Sequence, residues 1–219
     1  MESNLEQGKV KGKVTAKVEA KVEAKVKAPA RTLKVLMVCL GNICRSPTAH
    51  GVFERLVAGK GLRDTVLIDS AGTANYHVGK SPDPRSIAGA SLRGFDLSRQ
   101  VARQVSSQDY EQFDYILAMD AENLAIIQSK CPPEYEHKLS LLLSFTNSQR
   151  LSVPDPYYSG PGDSGECDAD EDGFELVLDL VEQACQHFLD YVITHEFPLE
   201  FTSASSHNPA PSFKGGATE

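Results

Sequence analysis

The stretch that most constrains the fold is residues 33–48, which reads LKVLMVCLGNICRSPT. It begins with a nearly continuous apolar run, which is typical of a strand that is covered on both faces. It ends in Ser46 and Pro47, residue types that favour the cap and the first turn of a helix. The stretch therefore predicts a strand, a tight loop and a helix in direct succession.

The loop in this stretch has the pattern C-x5-R-S, from Cys39 to Arg45 and Ser46. A short loop that leads into a helix can turn backbone N–H groups inward, and the helix dipole then helps them to hold an anion. A cysteine at the loop entrance is favoured as its thiolate, and an arginine at the exit can bind two phosphate oxygens. Gly41 lets the backbone bend, and Asn42 tolerates a left-handed conformation. The loop predicts a dianion pocket with a nucleophile at its floor.

Other loop chemistries fit the sequence less well. The Walker ATP loop is excluded because no lysine lies in this turn. A zinc or redox C-x-x-C motif is absent, since Cys39 and Cys44 are five positions apart. The alternative without a functional site is an ordinary turn that lies between a buried cysteine and a surface arginine. The combination of strand, helix cap, Gly41 and Asn42 argues against that alternative.

Further motifs accompany the loop over residues 32–197. They are D-S-A-G-T (69–73), S-P-D-P-R (81–85), A-R-Q-V (102–105), F-D-Y-I-L-x-M-D (113–120) and D-P-Y-Y (155–158). With the loop V-C-L-G-N-I-C-R-S-P-T-A, this set resembles the low molecular weight protein-tyrosine phosphatases. The resemblance leaves both termini out.

The resemblance implies a three-layer α/β sandwich with a four-stranded parallel sheet of flavodoxin-like topology, and a phosphate-binding loop after the first strand. The alternation of apolar strand-like and amphipathic helix-like segments independently favours an α/β fold with a parallel sheet. The site should then lie at the carboxyl ends of the strands. The predicted strands cover 33–38, 66–68, 115–118 and 139–145, and the main predicted helices cover 49–59, 86–93, 121–130 and 174–192.

The resemblance also implies residue roles. Cys39 would be the nucleophile, Arg45 would bind the phosphate, and Asp155 would protonate the leaving phenolate. Ser70 would support the loop through hydrogen bonds. A His that usually supports the loop asparagine is replaced here, and Gln100 could take over its hydrogen bond. The remaining predicted phosphate- or substrate-binding residues are Leu40, Gly41, Asn42, Ile43, Cys44, Ser46, Tyr76, Tyr157 and Tyr158.

The implied function is hydrolysis of phosphotyrosine and small aryl phosphates through a phosphocysteine, without a metal or another cofactor. Its partners would be tyrosine-phosphorylated proteins. One alternative is a protein-arginine phosphatase, a branch that typically has Thr at the position of Ile43. A second is a thioredoxin-coupled arsenate reductase, which needs further cysteines, although none lies between Cys44 and Cys131. A third is a non-catalytic phosphotyrosine-binding module, which would be expected to lose Cys39 or Asp155.

Composition limits the number of domains, the classes of partner and the cellular location that the sequence predicts. The length of 219 residues with 41% hydrophobic residues suits one ordinary domain plus tails. The net charge of −8 argues against nucleic-acid binding, and no apolar run approaches the roughly 20 residues of a membrane span. Five cysteines without framework spacing, and no apolar signal core, predict a reducing, cytoplasmic location. Two of these cysteines share the loop, so redox sensitivity is expected.

Three segments fall outside the expected domain core. Residues 1–31 contain A-K-V-E repeats with a net charge of +4, and they predict a basic, disordered tail for which the sequence names no partner. Residues 159–172 carry six acidic side chains and predict a solvated insertion. This insertion opens like a calcium-binding loop, but the twelfth position is Asp179 rather than Glu, which argues against calcium. Residues 198–219 predict a disordered C-terminal tail.

Overall fold

Four parallel strands form the central sheet of the structure, a computed structural model that describes residues 32–157 and 173–197. The strands lie in the order β2-β1-β3-β4, and all three pairings are parallel. This arrangement confirms the predicted four-stranded parallel sheet with flavodoxin-like topology. The strands are β1 (Leu33–Cys39), β2 (Val66–Gly72), β3 (Tyr115–Ala118) and β4 (Leu139–Leu141).

Strand β1 lies at the centre of the sheet and is buried on both faces. Val35 and Met37 point into one apolar core, whereas Leu36 and Val38 point into the other. All four side chains have no solvent exposure. Neither face of the strand contacts water, which explains why the sequence is apolar at consecutive positions, as predicted.

Helices cover both faces of the sheet and complete three layers. The helices are α1 (Arg45–Gly59), α2 (Pro84–Leu92), α3 (Ser107–Gln112), α4 (Ala121–Gln128) and α5 (Gly173–Glu196). The core on one face includes side chains from α1, α2 and α5, and the core on the other includes Tyr110 of α3 and Ile127 of α4. Short 3₁₀ turns cover Pro133–Lys138 and Leu142–Phe145.

The start of α1 differs from the prediction. Cys44 occupies the N-cap position and makes no side-chain capping bond, while Ser46 lies inside the first turn. Pro47 lies in the first turn as expected, where its missing N–H costs no hydrogen bond. Ser46 is not the cap because its hydroxyl faces the loop, where it contacts Cys39 and Asn42.

The predicted fourth strand is too long. Pairing with β3 ends at Leu141, and the chain continues as a 3₁₀ turn. Leu142 and Leu143 are both buried, so the apolar run continues although the strand does not. Apolar character alone cannot separate a short buried strand from a buried turn.

The expectations for residues 1–31, 159–172 and 198–219 lie outside the described residues, as does Tyr158. The domain boundaries 32–197 stay a prediction. Across 32–157 and 173–197, no helix combines the length and the apolar character that crossing a membrane requires.

Candidate active site

The loop between β1 and α1 has its carbonyl groups tied to the surrounding chain. Carbonyls that bond outward are what an anion cradle requires, because they leave loop N–H groups free to face the concave side. One of them, the N–H of Asn42, points at Cys39 Sγ over 3.2 Å. The outward bonds run from Thr73 N to Cys39 O (2.8 Å), from Ala74 N to Leu40 O (3.0 Å) and from Asp83 N to Ile43 O (2.7 Å).

Asn42 supplies the sharp bend of the loop. Its φ of 55° lies in the left-handed region that asparagine tolerates better than most residues, as the sequence predicted. Gly41 does not take a positive φ. A side chain at Gly41 would instead crowd His77, because an added Cβ would lie 3.0 Å from the ring carbon Cδ2. Asn42 therefore provides the bend, and Gly41 provides space beside the His77 ring.

Three groups fix the buried side chain of Asn42. Its Nδ2 donates to Ser46 Oγ and to Ser70 Oγ, each over 2.9 Å. Its Oδ1 accepts from the backbone N–H of Arg103 over 2.9 Å. Ser70 thus contacts the loop asparagine, a hydrogen bond that fits the supporting role implied by the resemblance. Gln100 does not substitute for the usual histidine: its Nε2 donates to the carbonyl of Pro47 over 3.0 Å.

Cys39 lies at the floor of the loop and is 2% exposed. Its Sγ lies 3.1 Å from Ser46 Oγ. Ser46 Oγ accepts a hydrogen bond from Asn42, and its own proton can point to the Cys39 sulfur or to the carbonyl of Ala71, which lies 3.4 Å away. The Ser46 hydroxyl and the Asn42 N–H are therefore two donors placed to stabilise a negative charge on Cys39.

Arg45 lies beside Cys39 with its guanidinium buried. Nη1 donates to Asp120 Oδ2 over 2.5 Å and to Val153 O over 3.2 Å, and Nη2 donates to Asp155 Oδ2 over 2.6 Å. Burial lowers the pKa of Arg45, but the charges of Cys39, Asp155 and Asp120 outweigh it and raise the pKa overall. The guanidinium therefore stays charged.

An open cavity of about 320 Å³ lies above this floor. Tyr76 and Tyr157 lie at its rim and are 74% and 65% exposed. The predicted binding residues Asn42 and Ser46 are buried and do not line the cavity, nor does Ser70, and Tyr158 is outside the described residues. The lining residues are Cys39, Leu40, Gly41, Ile43, Cys44, Arg45, Tyr76, His77, Asp155 and Tyr157.

The sequence profile of the family described as low molecular weight phosphotyrosine protein phosphatase matches residues 34–196, which is more than half of the chain. The chain belongs to this family. The family is named for the removal of phosphate from phosphotyrosine in proteins, and solved phosphotyrosine phosphatases share the fold described above.

Relatives agree with this assignment. The chain is 39% identical to the low molecular weight protein-tyrosine phosphatase YfkJ of Bacillus subtilis over 158 residues, 72% of this chain and 94% of YfkJ. A crystal structure of a protein tyrosine phosphatase from Entamoeba histolytica superposes with a TM-score of 0.68 at 36% identity, over 76% of this chain and 100% of that one. A Drosophila arginine phosphatase superposes with a TM-score of 0.63 at 32% identity, over 73% and 97%.

The sequence reasoning missed three residues of this phosphatase site. His77 lines the cavity next to Tyr76, and nothing in the sequence marked it. Asp120 holds Arg45 and also caps α4 by accepting from Asn123 N over 2.6 Å. Its signal was available, because an acidic residue just after β3 lies at the same sheet edge as the loop after β1.

Arg103 is the third missed residue. Besides its backbone bond to Asn42, its guanidinium bonds Asp69 at 2.9 Å and Asp109 at 2.9 and 3.1 Å. The A-R-Q-V motif drew attention to this position, but only the fold shows that it joins β2 and α3 to the loop. Arg103 thus anchors the segment that supports Asn42 from behind.

Proposed function

We propose that this phosphatase hydrolyses phosphotyrosine by two successive displacements at phosphorus, in which Cys39, Arg45 and Asp155 carry the chemistry. The observation that supports this most directly is their convergence. All three line one cavity, and Arg45 Nη2 lies 2.6 Å from Asp155 Oδ2. A nucleophile, a phosphate-binding cation and an acid therefore meet within one site of suitable size.

In the first displacement the Cys39 thiolate attacks phosphorus, a sulfur–phosphorus bond forms and the bond to the phenol oxygen breaks. Arg45 and the inward N–H groups of the loop bind the three equatorial oxygens, where charge is spread in the transition state. Asp155 gives its proton to the leaving oxygen, which departs as a neutral phenol. The Arg45 Nη2 bond to Asp155 is exchanged for one to the phosphate dianion, so substrate binding frees the carboxyl for this role.

In the second displacement a water molecule attacks phosphorus and the sulfur–phosphorus bond breaks. The Asp155 carboxylate takes the proton from the attacking water, and Cys39 leaves as a thiolate stabilised by the hydroxyl of Ser46. The products are inorganic phosphate and the regenerated site. The protein groups named here balance every proton in both steps.

The depth of the cavity supports an aryl phosphate substrate. Cys39 lies at a nearly inaccessible floor, while the rings of Tyr76 and Tyr157 stand exposed at the rim. A phosphate on a phenyl ring can reach such a floor while the ring packs between the rim aromatics and the apolar walls of Leu40 and Ile43. A phosphate on the short side chain of serine would bring its peptide backbone against the rim.

A panel of phosphopeptides tests this substrate class. We expect kcat/KM for phosphotyrosine to exceed that for phosphoserine and phosphoarginine by at least about 10²-fold, since a pocket shaped for one geometry discriminates on this scale. Phosphoarginine belongs in the panel because an arginine phosphatase is among the structures that resemble this chain. Arsenate, assayed with thioredoxin, should not be reduced. A higher kcat/KM for phosphoarginine than for phosphotyrosine would assign the chain to the other substrate class.

We also propose that Cys44 protects Cys39 in a reducing, cytoplasmic setting. Peroxide would oxidise the Cys39 thiolate to a sulfenic acid, and the Cys44 thiol would displace water to form a disulfide. Cys44 itself is a poor target, because burial first and then the charge of Asp83 raise its pKa to about 12.

Peroxide should therefore inactivate the wild-type enzyme reversibly, with activity restored by an added thiol. In Cys44→Ser the recovered fraction should fall, because the sulfenic acid proceeds to irreversible forms. Cys131→Ser serves as the control, since Cys131 lies in the Pro132 turn away from the loop. Equal recovery in wild type and Cys44→Ser would rule out the protective role.

A further inference from the structure

Arg85, the second residue of α2, joins the phosphate loop to the rim of the cavity. Its Nε and Nη2 donate to the two carboxylate oxygens of Asp83 over 3.0 and 2.9 Å, and its backbone N–H donates to Asp83 over 2.8 Å. Asp83 in turn donates its backbone N–H to the loop carbonyl of Ile43 over 2.7 Å. The orientation of the guanidinium is therefore fixed relative to the phosphate loop.

The other side of the Arg85 guanidinium faces two aromatic rings. Its central carbon lies 4.4 Å from the ring centre of Phe174 and 5.8 Å from that of Tyr157, both within the range of a cation–π contact. Tyr157 is the rim tyrosine, and Phe174 lies in the first turn of α5. Arg85 thus holds the rim ring between the phosphate loop and a long core helix.

Tyr157 is coupled to the acid of the mechanism. Its backbone N–H donates to Asp155 Oδ1 over 3.1 Å, while Asp155 Oδ2 accepts from Arg45. A displacement of Tyr157 would therefore move a hydrogen bond that orients this carboxyl. The path from Ile43 to Asp155 runs through Asp83, Arg85 and Tyr157. Each step is a hydrogen bond except the cation–π approach of Arg85 to Tyr157.

We propose that Arg85 is a positioning residue, which holds Tyr157 and, through it, the carboxyl of Asp155 over the cavity. This inference rests on the proposed role of Asp155. An exposed ion pair and exposed cation–π contacts add little to folding stability, and the Arg85 side chain is 55% exposed. The arrangement is therefore better explained by the geometry of the site than by the stability of the fold.

The test is a series of aryl phosphates whose leaving phenols range from weakly to strongly acidic. Arg85→Met should lower kcat/KM about tenfold on the weakly acidic phenols, since small displacements of an acid are costly. The loss should vanish on the most acidic phenol, which needs no proton. Inhibition by inorganic phosphate should be unchanged, because Arg45 and the loop are untouched. Arg85→Lys keeps the positive charge but loses the paired hydrogen bonds to Asp83. Its kcat/KM on the weakly acidic phenols should therefore lie between the values of wild type and Arg85→Met.

A double-mutant cycle isolates the path. In an Asp155→Ala background, Arg85→Met should have no further effect on kcat/KM, because the group through which it acts is gone. Arg99→Met is the matched control: Arg99 is also an exposed arginine near an aspartate in its own turn, with its Nε 3.9 Å from Asp96. Arg99→Met should have the same kcat/KM as wild type on every phenol of the series.

Three results would overturn the inference: an unchanged rate in Arg85→Met and Arg85→Lys, an equal loss on every phenol, or a loss that persists beside Asp155→Ala. A misfolded Arg85→Met protein would leave Arg85→Lys to decide between these results. The proposed function fails separately, if Asp155→Ala itself shows no dependence on the leaving group.

Discussion

Replacement of Cys39 by serine should lower kcat by at least about 10⁴-fold on every aryl phosphate, because a serine hydroxyl is not ionised at neutral pH and has no base beside it. The fold should survive, since the two side chains are similar in size and the site is already polar at Ser46 and Asn42. Inorganic phosphate should still bind, because Arg45 and the loop N–H groups remain.

Steady-state kinetics, thermal unfolding and phosphate titration check this expectation together. Cys185→Ser provides a contrasting control, because Cys185 of α5 is fully buried in the core, where its Sγ lies 3.7 Å from the carbonyl oxygen of Ala49 in α1. That change should lower the unfolding temperature and leave kcat per folded molecule intact. Aryl phosphatase activity near wild type in Cys39→Ser would remove Cys39 from the mechanism.

Replacement of Asp155 by alanine should lower kcat/KM by about 10²–10⁴-fold on substrates with weakly acidic phenols, the usual contribution of a positioned general acid. The loss of kcat/KM should shrink as the leaving phenol becomes more acidic, since kcat/KM reports the first displacement. By contrast, kcat should fall on all substrates, because Asp155 also activates the water of the second displacement.

The measurement is kcat/KM against leaving-phenol acidity for wild type and Asp155→Ala. Asp64→Ala is the control, since Asp64 is an exposed loop aspartate distant in sequence from the acid loop. A loss of equal size on all phenols would mean that Asp155 only holds Arg45 in place, through the 2.6 Å contact, and gives no proton.

Much of the fold and site could be predicted because a few residues are compatible with only one local structure. The apolar run of β1 required cover on both faces, and Cys39, Asn42 and Arg45 at fixed spacing required one loop. Asp155 is different, because it is more than 100 residues from the loop in sequence. Only the resemblance connected it to Arg45, since spacing carries no information about contacts so far apart.

The sequence did not predict contacts that depend on how side chains meet across elements. Arg103 and Arg85 each act by reaching a residue on another segment, and their own neighbours in sequence give no sign of the target. Ser46 looked like a helix cap because serine favours that position, but it lies two positions past the N-cap Cys44, where its hydroxyl contacts Cys39. The contact with Cys39, rather than the preference of serine for the N-cap, is consistent with the position of Ser46.

The central claim is that the phosphoryl group passes through Cys39. In Asp155→Ala, an aryl phosphate with a strongly acidic phenol should phosphorylate the enzyme quickly, while the missing base slows hydrolysis, so the intermediate should accumulate. A rapid denaturing quench followed by peptide mass spectrometry should find close to one phosphoryl group per chain, on the peptide that contains Cys39. A burst of phenol with no phosphorylated Cys39, or a phosphoryl group on another residue such as His77, would contradict the account.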